Sequence, residues 1–178
     1  MKRIGAGIVV LGVFFLLAAC SGSKISAVQQ SAIPSHDISR IAIAPGSGVL
    51  GEAISVELFN RGFTVVDSNE ATTILGRAGL KEYELTSSRG FAALREKGIE
   101  AVLVAKSVAE ADQTPESASV RVTDTADGQI IAAITWQNGY GGRRGSVADR
   151  IMRKNLSDAA NEIADELMTR LRRSNLSK

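Results

Sequence analysis

Residues Val120–Trp136, "VRVTDTADGQIIAAITW", decide the fold class because they predict two antiparallel strands. Apolar and polar residues alternate on both sides of a central turn, which is typical of strands with one buried face. Asp127-Gly128 in that turn is a strong hairpin signal. The stretch therefore predicts a hairpin of Ser117–Asp124 with Gln129–Asn138. Val120 and Val122 are predicted to share one face of the first strand, and Ile130, Ile134 and Trp136 one face of the second.

The chain before this hairpin predicts strands that alternate with helices, which indicates βαβ units. The predicted strands are Ile38–Ala44, Phe63–Val66 and Ala101–Ala109, and the predicted helices are Gly48–Arg61, a helix capped by Ser68 that runs through Leu75, and a helix that begins at Ser88. Ala101–Ala109 is almost continuously apolar, as expected of a strand covered on both faces. The buried side of the first helix is predicted to hold Val49, Ala53, Val56, Leu58 and Phe59.

The chain after the hairpin predicts one long amphipathic helix that Ser146 caps. Its apolar residues recur at helical spacing over about seven turns. They are Val147, Ile151, Met152, Leu156, Ala159, Ile163, Leu167 and Leu171. The sequence thus predicts a single α/β domain over residues 38–178. Its mixed sheet would combine βαβ units with an antiparallel hairpin, packed by helices and closed by the long C-terminal helix.

The N-terminal residues 1–19 predict a lipoprotein signal peptide. Lys2 and Arg3 precede an apolar segment, and small residues follow it, which is the usual order of a secretory signal. The sequence "LAAC", which ends at Cys20, resembles the lipobox of bacterial lipoproteins and implies that the Cys20 thiol is acylated. Ser21, rather than an aspartate, follows it, which resembles outer-membrane sorting. Residues 20–37 are predicted to be the lipidated cysteine and a flexible tether.

The charge of the predicted mature chain argues against a nucleic-acid partner. Removing residues 1–19 takes Lys2 and Arg3 with it, leaving 19 basic against 19 acidic residues. Cys20 is the only cysteine and His36 the only histidine, so neither an internal disulfide nor a Cys/His metal site is expected. We expect no cofactor.

The segment Gly46–Gly51 has the spacing G-x-G-x-x-G between a predicted strand and a predicted helix, and Asp67 follows about 20 residues later. A dinucleotide fold needs a second βαβαβ half, which this chain does not supply. The glycines are better explained by a sharp turn after Pro45 and close packing of the helix. Binding of a phosphate or nucleotide at the helix N-terminus remains an alternative.

The sequence offers no set of catalytic residues. A Ser-His-Asp triad cannot form because His36 lies in the predicted tether, and no G-x-S-x-G motif is present. Glu82 and Glu84 lie in a polar connection, where solvated carboxylates are expected. We therefore predict that the protein is not an enzyme.

The order of elements resembles the curli-production lipoprotein family (CsgG-like), together with the TolB N-terminal domain and the lipoprotein activator of penicillin-binding proteins. Three segments carry the resemblance: "LFNRGFTVVD", "GIEAVLVAKSV" and "RVTDTADGQIIAAITW". It extends from Ile38 to about Arg172, with Ala105 and Lys106 where the family commonly has a glycine. The resemblance implies an α/β sandwich that works in the cell envelope as a scaffold, a secretion channel or an activator, without catalytic residues.

A contact surface is the site that these observations favour. Trp136 and Tyr140 flank a glycine-rich loop with Arg143 and Arg144, and Trp, Tyr and Arg are enriched in binding hot spots. The competing interpretation is that Trp136 covers the core. We expect a lipid-anchored outer-membrane protein whose periplasmic domain binds another envelope protein. One alternative is a self-assembling ring or secretion-channel subunit, although the outer face of the hairpin would carry Ser119, Arg121 and Thr123 rather than apolar residues.

Overall fold

The computed structural model describes residues 22–27, 38–110, 114–139 and 145–172. The strands are β1 (Ser23–Ala27), β2 (Arg40–Ile43), β3 (Thr64–Val66), β4 (Ala101–Ala109), β5 (Pro115–Asp124) and β6 (Ile130–Asn138). The helices are α1 (Gly48–Asn60), α2 (Ser68–Arg77), α3 (Ser88–Arg95), α4 (Val147–Met152) and α5 (Leu156–Arg172), with a 3-10 turn at Glu82–Glu84. The predicted signal peptide and four predicted site residues, Cys20, Tyr140, Arg143 and Arg144, lie outside the described residues.

One mixed sheet of six strands organises the described fold, in the order β1-β6-β5-β4-β2-β3. β2 pairs in parallel with both β3 and β4, whereas β4, β5, β6 and β1 pair antiparallel in succession. The predicted fold class, a mixed sheet of βαβ units followed by a hairpin, is confirmed.

Helices cover the two faces of the sheet unequally. α1 and α5 pack on one face, where Leu50, Ile54, Ile163 and Leu167 belong to the larger core cluster. α2 and α3 pack on the other face, but only over β3, β2 and the first half of β4. The prediction that β4 is covered on both faces therefore holds for Ala101–Leu103, while Val104 is half-buried and residues 106–109 are exposed.

The hairpin forms as predicted, with one irregularity. The register shifts between Val122 and Thr123, so an extra residue enters β6 opposite them. This bulge turns Ile131 into the core and leaves Ile130 37% exposed. The prediction that Ile130 shares a face with Trp136 is wrong because strict alternation breaks at the bulge.

The predicted tether is partly wrong, because Ser23–Ala27 forms the edge strand β1. It pairs antiparallel with β6, from Ser23 opposite Asn138 to Ala27 opposite Ile134. Ile25 and Ala27 pack against the core from this strand, while Lys24 is exposed. Ile25 and Ala27 thus give β1 one apolar face, although the segment as a whole is polar and was predicted to be a tether.

The last predicted helix is two helices. Ser146 does cap the first, since its hydroxyl accepts a hydrogen bond from the Asp149 N–H at 3.2 Å. The chain is extended at Arg153, and Asn155 then accepts from the Asp158 N–H at 2.9 Å while Asp158 accepts from the Asn155 N–H. This reciprocal pair of hydrogen bonds caps the N-terminus of α5, which is therefore a separate helix.

Two predictions about the other helices are also corrected. Asp67, not Ser68, caps α2, because its carboxylate accepts from the Glu70 N–H at 2.8 Å. In α1 the predicted inner residues Val49, Val56 and Phe59 are exposed, and the buried residues are Leu50, Gly51, Ile54 and Leu58. No helix in the described ranges combines the length and the apolar character that a membrane span requires.

Candidate interaction surface

Trp136 lies in the core and not on the predicted partner surface. Its side chain is 1% exposed, and the indole Nε1 donates a hydrogen bond to Glu162 of α5 at 2.7 Å. The hydroxyl of Ser23 donates to the same carboxylate oxygen at 2.6 Å. The competing interpretation of Trp136, that it covers the core, is the correct one, because β6 turns alternate residues toward α5.

The Glu162 carboxylate joins β1, β6 and α5, and its environment favours the ionised form. Burial acts to raise its pKa, but the hydrogen bonds from Ser23 and Trp136 outweigh burial, and the ammonium of Lys154 acts with them. The Lys154 Nζ lies 3.4 Å from the Glu162 carboxylate. The net effect is a pKa below the ordinary value of 4.5.

The Gly46–Gly51 segment has a structural role at each of its glycines. Gly46 and Gly48 have φ values of 76° and 61°, a region of backbone conformation that residues other than glycine rarely adopt. A Cβ on Gly51 would lie 2.4 Å from the Cβ of Ser47. The buried Ser47 hydroxyl accepts a hydrogen bond from the Ala105 N–H at 3.2 Å. The motif therefore turns the chain tightly and seats α1 against the sheet.

β4 also extends past the end of β2, at the place where a doubly wound fold would bind a ligand. In such folds the crevice lies beyond the carboxyl ends of two neighbouring parallel strands. Here β2 ends opposite Leu103, while β4 continues to Ala109 alongside the turn that follows β2. The Ala105 N–H of β4, which lies past the last residue paired with β2, donates a hydrogen bond to the Ser47 hydroxyl. This bond holds the turn against β4.

The described helices leave one broad surface uncovered, which is the outer face of the antiparallel half of the sheet. We call it the open sheet face, and its strand residues are Lys24, Ser26, Val104, Lys106, Val108, Ser117, Ser119, Arg121, Thr123, Ala133, Thr135 and Gln137. Register places them in rows across the strands. Lys106, Ser119, Thr135 and Ser26 form one row. The predicted outer position of Ser119, Arg121 and Thr123 is thereby confirmed.

The open sheet face is positively charged. Lys24, Lys106 and Arg121 are exposed on it, and no acidic strand residue points from this face in the described ranges. A shallow groove of about 410 Å³ runs between Lys24 and Lys106, and five of its eleven lining residues are serine or threonine. Sequence reasoning missed both lysines, because one was assigned to the tether and the other to a strand buried on both faces.

The described residues hold no cluster of three or more His, Cys, Asp or Glu side chains that could bind a metal ion. The predicted carboxylate pair has local roles. Glu84 accepts a hydrogen bond from the Lys81 N–H at 2.9 Å, and Glu82 accepts one from the Thr72 hydroxyl at 3.4 Å. Both groups thus stabilise the turn between α2 and α3.

Fold and surface together define the class of protein: a mixed α/β domain whose described helices leave the outer face of the antiparallel half of its sheet uncovered. No family model matches the chain, and no curated protein is significantly similar to it in sequence. Solved structures are similar to the chain at low sequence identity. The PelC dodecamer from Paraburkholderia phytofirmans is 11% identical, covering 84% of this chain and 96% of that one, with a TM-score of 0.47.

Two further structures are similar to the chain. Lipoprotein GNA1162 from Neisseria meningitidis is 17% identical, with 72% of this chain and 99% of that one covered and a TM-score of 0.45. The LpoB C-terminal domain from Escherichia coli is also 17% identical, with 61% and 86% covered and a TM-score of 0.41.

Proposed function

We propose that the protein is an outer-membrane lipoprotein, anchored through Cys20, whose periplasmic domain binds another envelope protein without catalysis. The open sheet face is the observation that carries the binding role. It is a broad surface that the helices leave uncovered, and its three exposed cations have no acidic strand residue beside them among the described residues. The resemblance to the curli-production lipoprotein family supports the envelope setting.

The chemistry of this face specifies an acidic protein surface as its complement. Lys and Arg attract carboxylates over distance and speed association. The short serine and threonine side chains between them provide hydroxyl donors and acceptors without obstructing close approach. Val108 at the end of β4 is 59% exposed and adds an apolar contact.

The loop that contains Tyr140, Arg143 and Arg144 extends the proposed surface in sequence. It follows β6, whose residue Gln137 lies opposite Lys24 on the open sheet face. Trp136 no longer belongs to this surface. Arg143 and Arg144 lie outside the described residues, so their contribution to the surface stays a prediction.

A charge-reversal experiment tests the proposal. Lys106→Glu with Arg121→Glu should greatly reduce crosslinking of the protein to its partner in intact cells, because repulsion replaces attraction. Lys97→Glu with Arg77→Glu makes the same charge change at exposed positions on the α2–α3 side and should leave capture unchanged. Arg143→Glu with Arg144→Glu measures the contribution of the loop. Equal capture by the first pair and the control pair would place the partner surface elsewhere.

Self-assembly is a second candidate, and one observation favours it. Val49, Val56 and Phe59 of α1 are each more than half exposed, and large apolar side chains exposed together are characteristic of interaction sites. Light scattering of the purified protein would reveal an oligomer, and Phe59→Ser should dissociate it if α1 is the interface. A monomer at high concentration would exclude this candidate.

A further inference from the structure

Gly22 directly precedes β1 and lies against the end of α4. Its carbonyl oxygen accepts a hydrogen bond from the Gly139 N–H at 2.6 Å. A Cβ on Gly22 would lie 2.5 Å from the carbonyl oxygen of Met152, so only a glycine fits this contact without a shift. β1 begins at the next residue and pairs with β6. Strand pairing and close packing therefore fix the position of Gly22, and Gly22 is the point at which the chain enters the domain from Cys20.

This entry point limits how far the domain can move from a lipid on Cys20. Cys20 precedes Gly22 by two residues, and two residues span at most about 7 Å. An acyl group on Cys20 would thus hold Gly22 close to the bilayer surface. The surface around Gly22 would have to face the lipid headgroups.

That surface includes the outward side of α4. Val147 and Ile151 are 69% and 77% exposed, and their i, i+4 spacing places them side by side. Ile151 and Gly22 border the same groove. The opposite side of α4 is fixed inward, because buried Asp149 accepts a hydrogen bond from the Gly145 N–H at 2.7 Å. Arg150 is exposed next to the two aliphatic residues.

We propose that Val147, Arg150 and Ile151 form a membrane-contact surface that rests on the headgroup region beside the lipid anchor. This inference rests on the proposed acylation of Cys20. Aliphatic side chains gain by entering the headgroup and acyl boundary, and a neighbouring arginine attracts anionic headgroups. The short reach from Cys20 distinguishes this patch from the exposed apolar residues of α1, which no anchor brings to a bilayer.

A fluorescent label can measure this contact in the acylated full-length protein. Cys20 is the only native cysteine and carries the lipid in our proposal, so Ile151→Cys provides a single thiol for labelling. Ala126→Cys is the matched control. It is exposed in the turn at the far end of the β5–β6 hairpin, about 30 Å along the strands from the end that holds Gly22.

The labelled proteins are reconstituted in vesicles of phosphatidylethanolamine and phosphatidylglycerol that contain nitroxide-labelled lipid. We expect a blue shift and strong quenching at position 151 and neither at position 126. Adding Arg150→Glu should weaken the quenching in these vesicles but not in vesicles of phosphatidylcholine alone, because only the former are anionic.

The outcomes separate this inference from the proposed function. Mass spectrometry first establishes whether Cys20 is acylated. If it is acylated and the label at position 151 is unquenched, or quenched no more than that at position 126, the membrane-contact surface is refuted while the anchor stands. If Cys20 is not acylated and its free thiol takes up the label, the proposed anchor fails.

Discussion

The Trp136 indole and the Glu162 carboxylate are joined by a hydrogen bond of 2.7 Å between sheet and helix. The bond crosses the core from β6 to α5, and the Ser23 hydroxyl donates to the same oxygen from the edge strand β1. One carboxylate therefore holds three elements that are distant in sequence. It gives a buried N–H group the partner that such groups require.

Replacing Glu162 with Ala should destabilise the fold by about 1–3 kcal/mol, because the Trp136 N–H would be left buried without an acceptor. Glu162→Gln keeps a carbonyl acceptor and should cost less. Urea unfolding of the purified proteins measures both free energies. Equal losses for the two variants would show that the carboxylate charge, and not the acceptor, provides the stability.

The same carboxylate predicts a pH dependence. Its pKa lies below 4.5 in the folded protein, so folding favours the ionised form. Its contribution to the free energy of unfolding is complete above the unfolded-state pKa and is lost as the pH falls through the lower folded-state pKa. Measured between about pH 6 and pH 3, the stability advantage of the wild type over Glu162→Gln should shrink toward acid pH. A constant difference would contradict this assignment.

Two glycine substitutions should have opposite effects. Gly51→Ala places a Cβ 2.4 Å from that of Ser47, and the resulting displacement of α1 should cost about 1–3 kcal/mol. Gly76 lies within α2 with open space around its Cβ position, and Gly76→Ala should stabilise by about 0.5–1 kcal/mol through helix propensity. Thermal unfolding compares the two. A Gly51→Ala protein as stable as the wild type would mean that α1 does not need this close approach.

Asn138 leads to a prediction about the break between α4 and α5. Its buried amide nitrogen donates to the carbonyls of Pro115 and Lys154 at 2.8 and 2.9 Å, and its oxygen accepts from the Lys154 N–H at 3.0 Å. In Asn138→Asp a carboxylate oxygen would face those carbonyls. We expect a loss of more than about 3 kcal/mol at neutral pH, since an unpaired buried charge costs more than a neutral group.

Acid should partly rescue the Asn138→Asp variant. Burial against carbonyl oxygens raises the pKa of the new carboxyl group. The variant protein is therefore more stable when this group is protonated, and it loses that stability as the pH rises through the raised pKa. Asn138→Ala removes the amide without adding a charge and should show no such rescue. Urea unfolding at several pH values distinguishes the two variants.

Acylation of Cys20 is the prediction that decides the location of the protein. In mass spectrometry the mature chain should begin at Cys20 and carry the mass of its acyl chains. Two or more such chains anchor a domain stably in a membrane. Cys20→Ser should block lipoprotein processing. A Cys20→Ser protein that is still cleaved after residue 19 and still sediments with membranes would contradict the prediction.

The sequence predicts the parts of the fold that local patterns determine. Asp127-Gly128 marks the hairpin turn, and Gly128 has the φ of 74° that such a turn needs. Trp136 could not be placed by type alone, because tryptophan is common both in cores and at interfaces. In the core its indole N–H needs an acceptor, and Glu162, which supplies one, lies 26 residues away in sequence. The strand β1 depends in the same way on a partner strand more than 100 residues downstream.

The helix break illustrates a different limit. Apolar residues continue at helical spacing through Met152 and Leu156, so periodicity alone predicts one helix. The interruption comes from Asn138, which binds the backbone of Lys154, and from the Asn155–Asp158 pair. The second of these is visible in the sequence as a capping pattern, whereas the first is a contact made in space.

The edge strand β1 also determines how the domain bears tension. Hydrogen bonds between antiparallel strands lie perpendicular to the strand axis. A pull on the chain before Ser23, directed along the strand, would therefore load every β1–β6 bond in shear at the same time. The Ser23–Glu162 hydrogen bond would carry part of that load into α5. Detachment of this edge should accordingly be a single mechanical event, with no progressive peeling from one end.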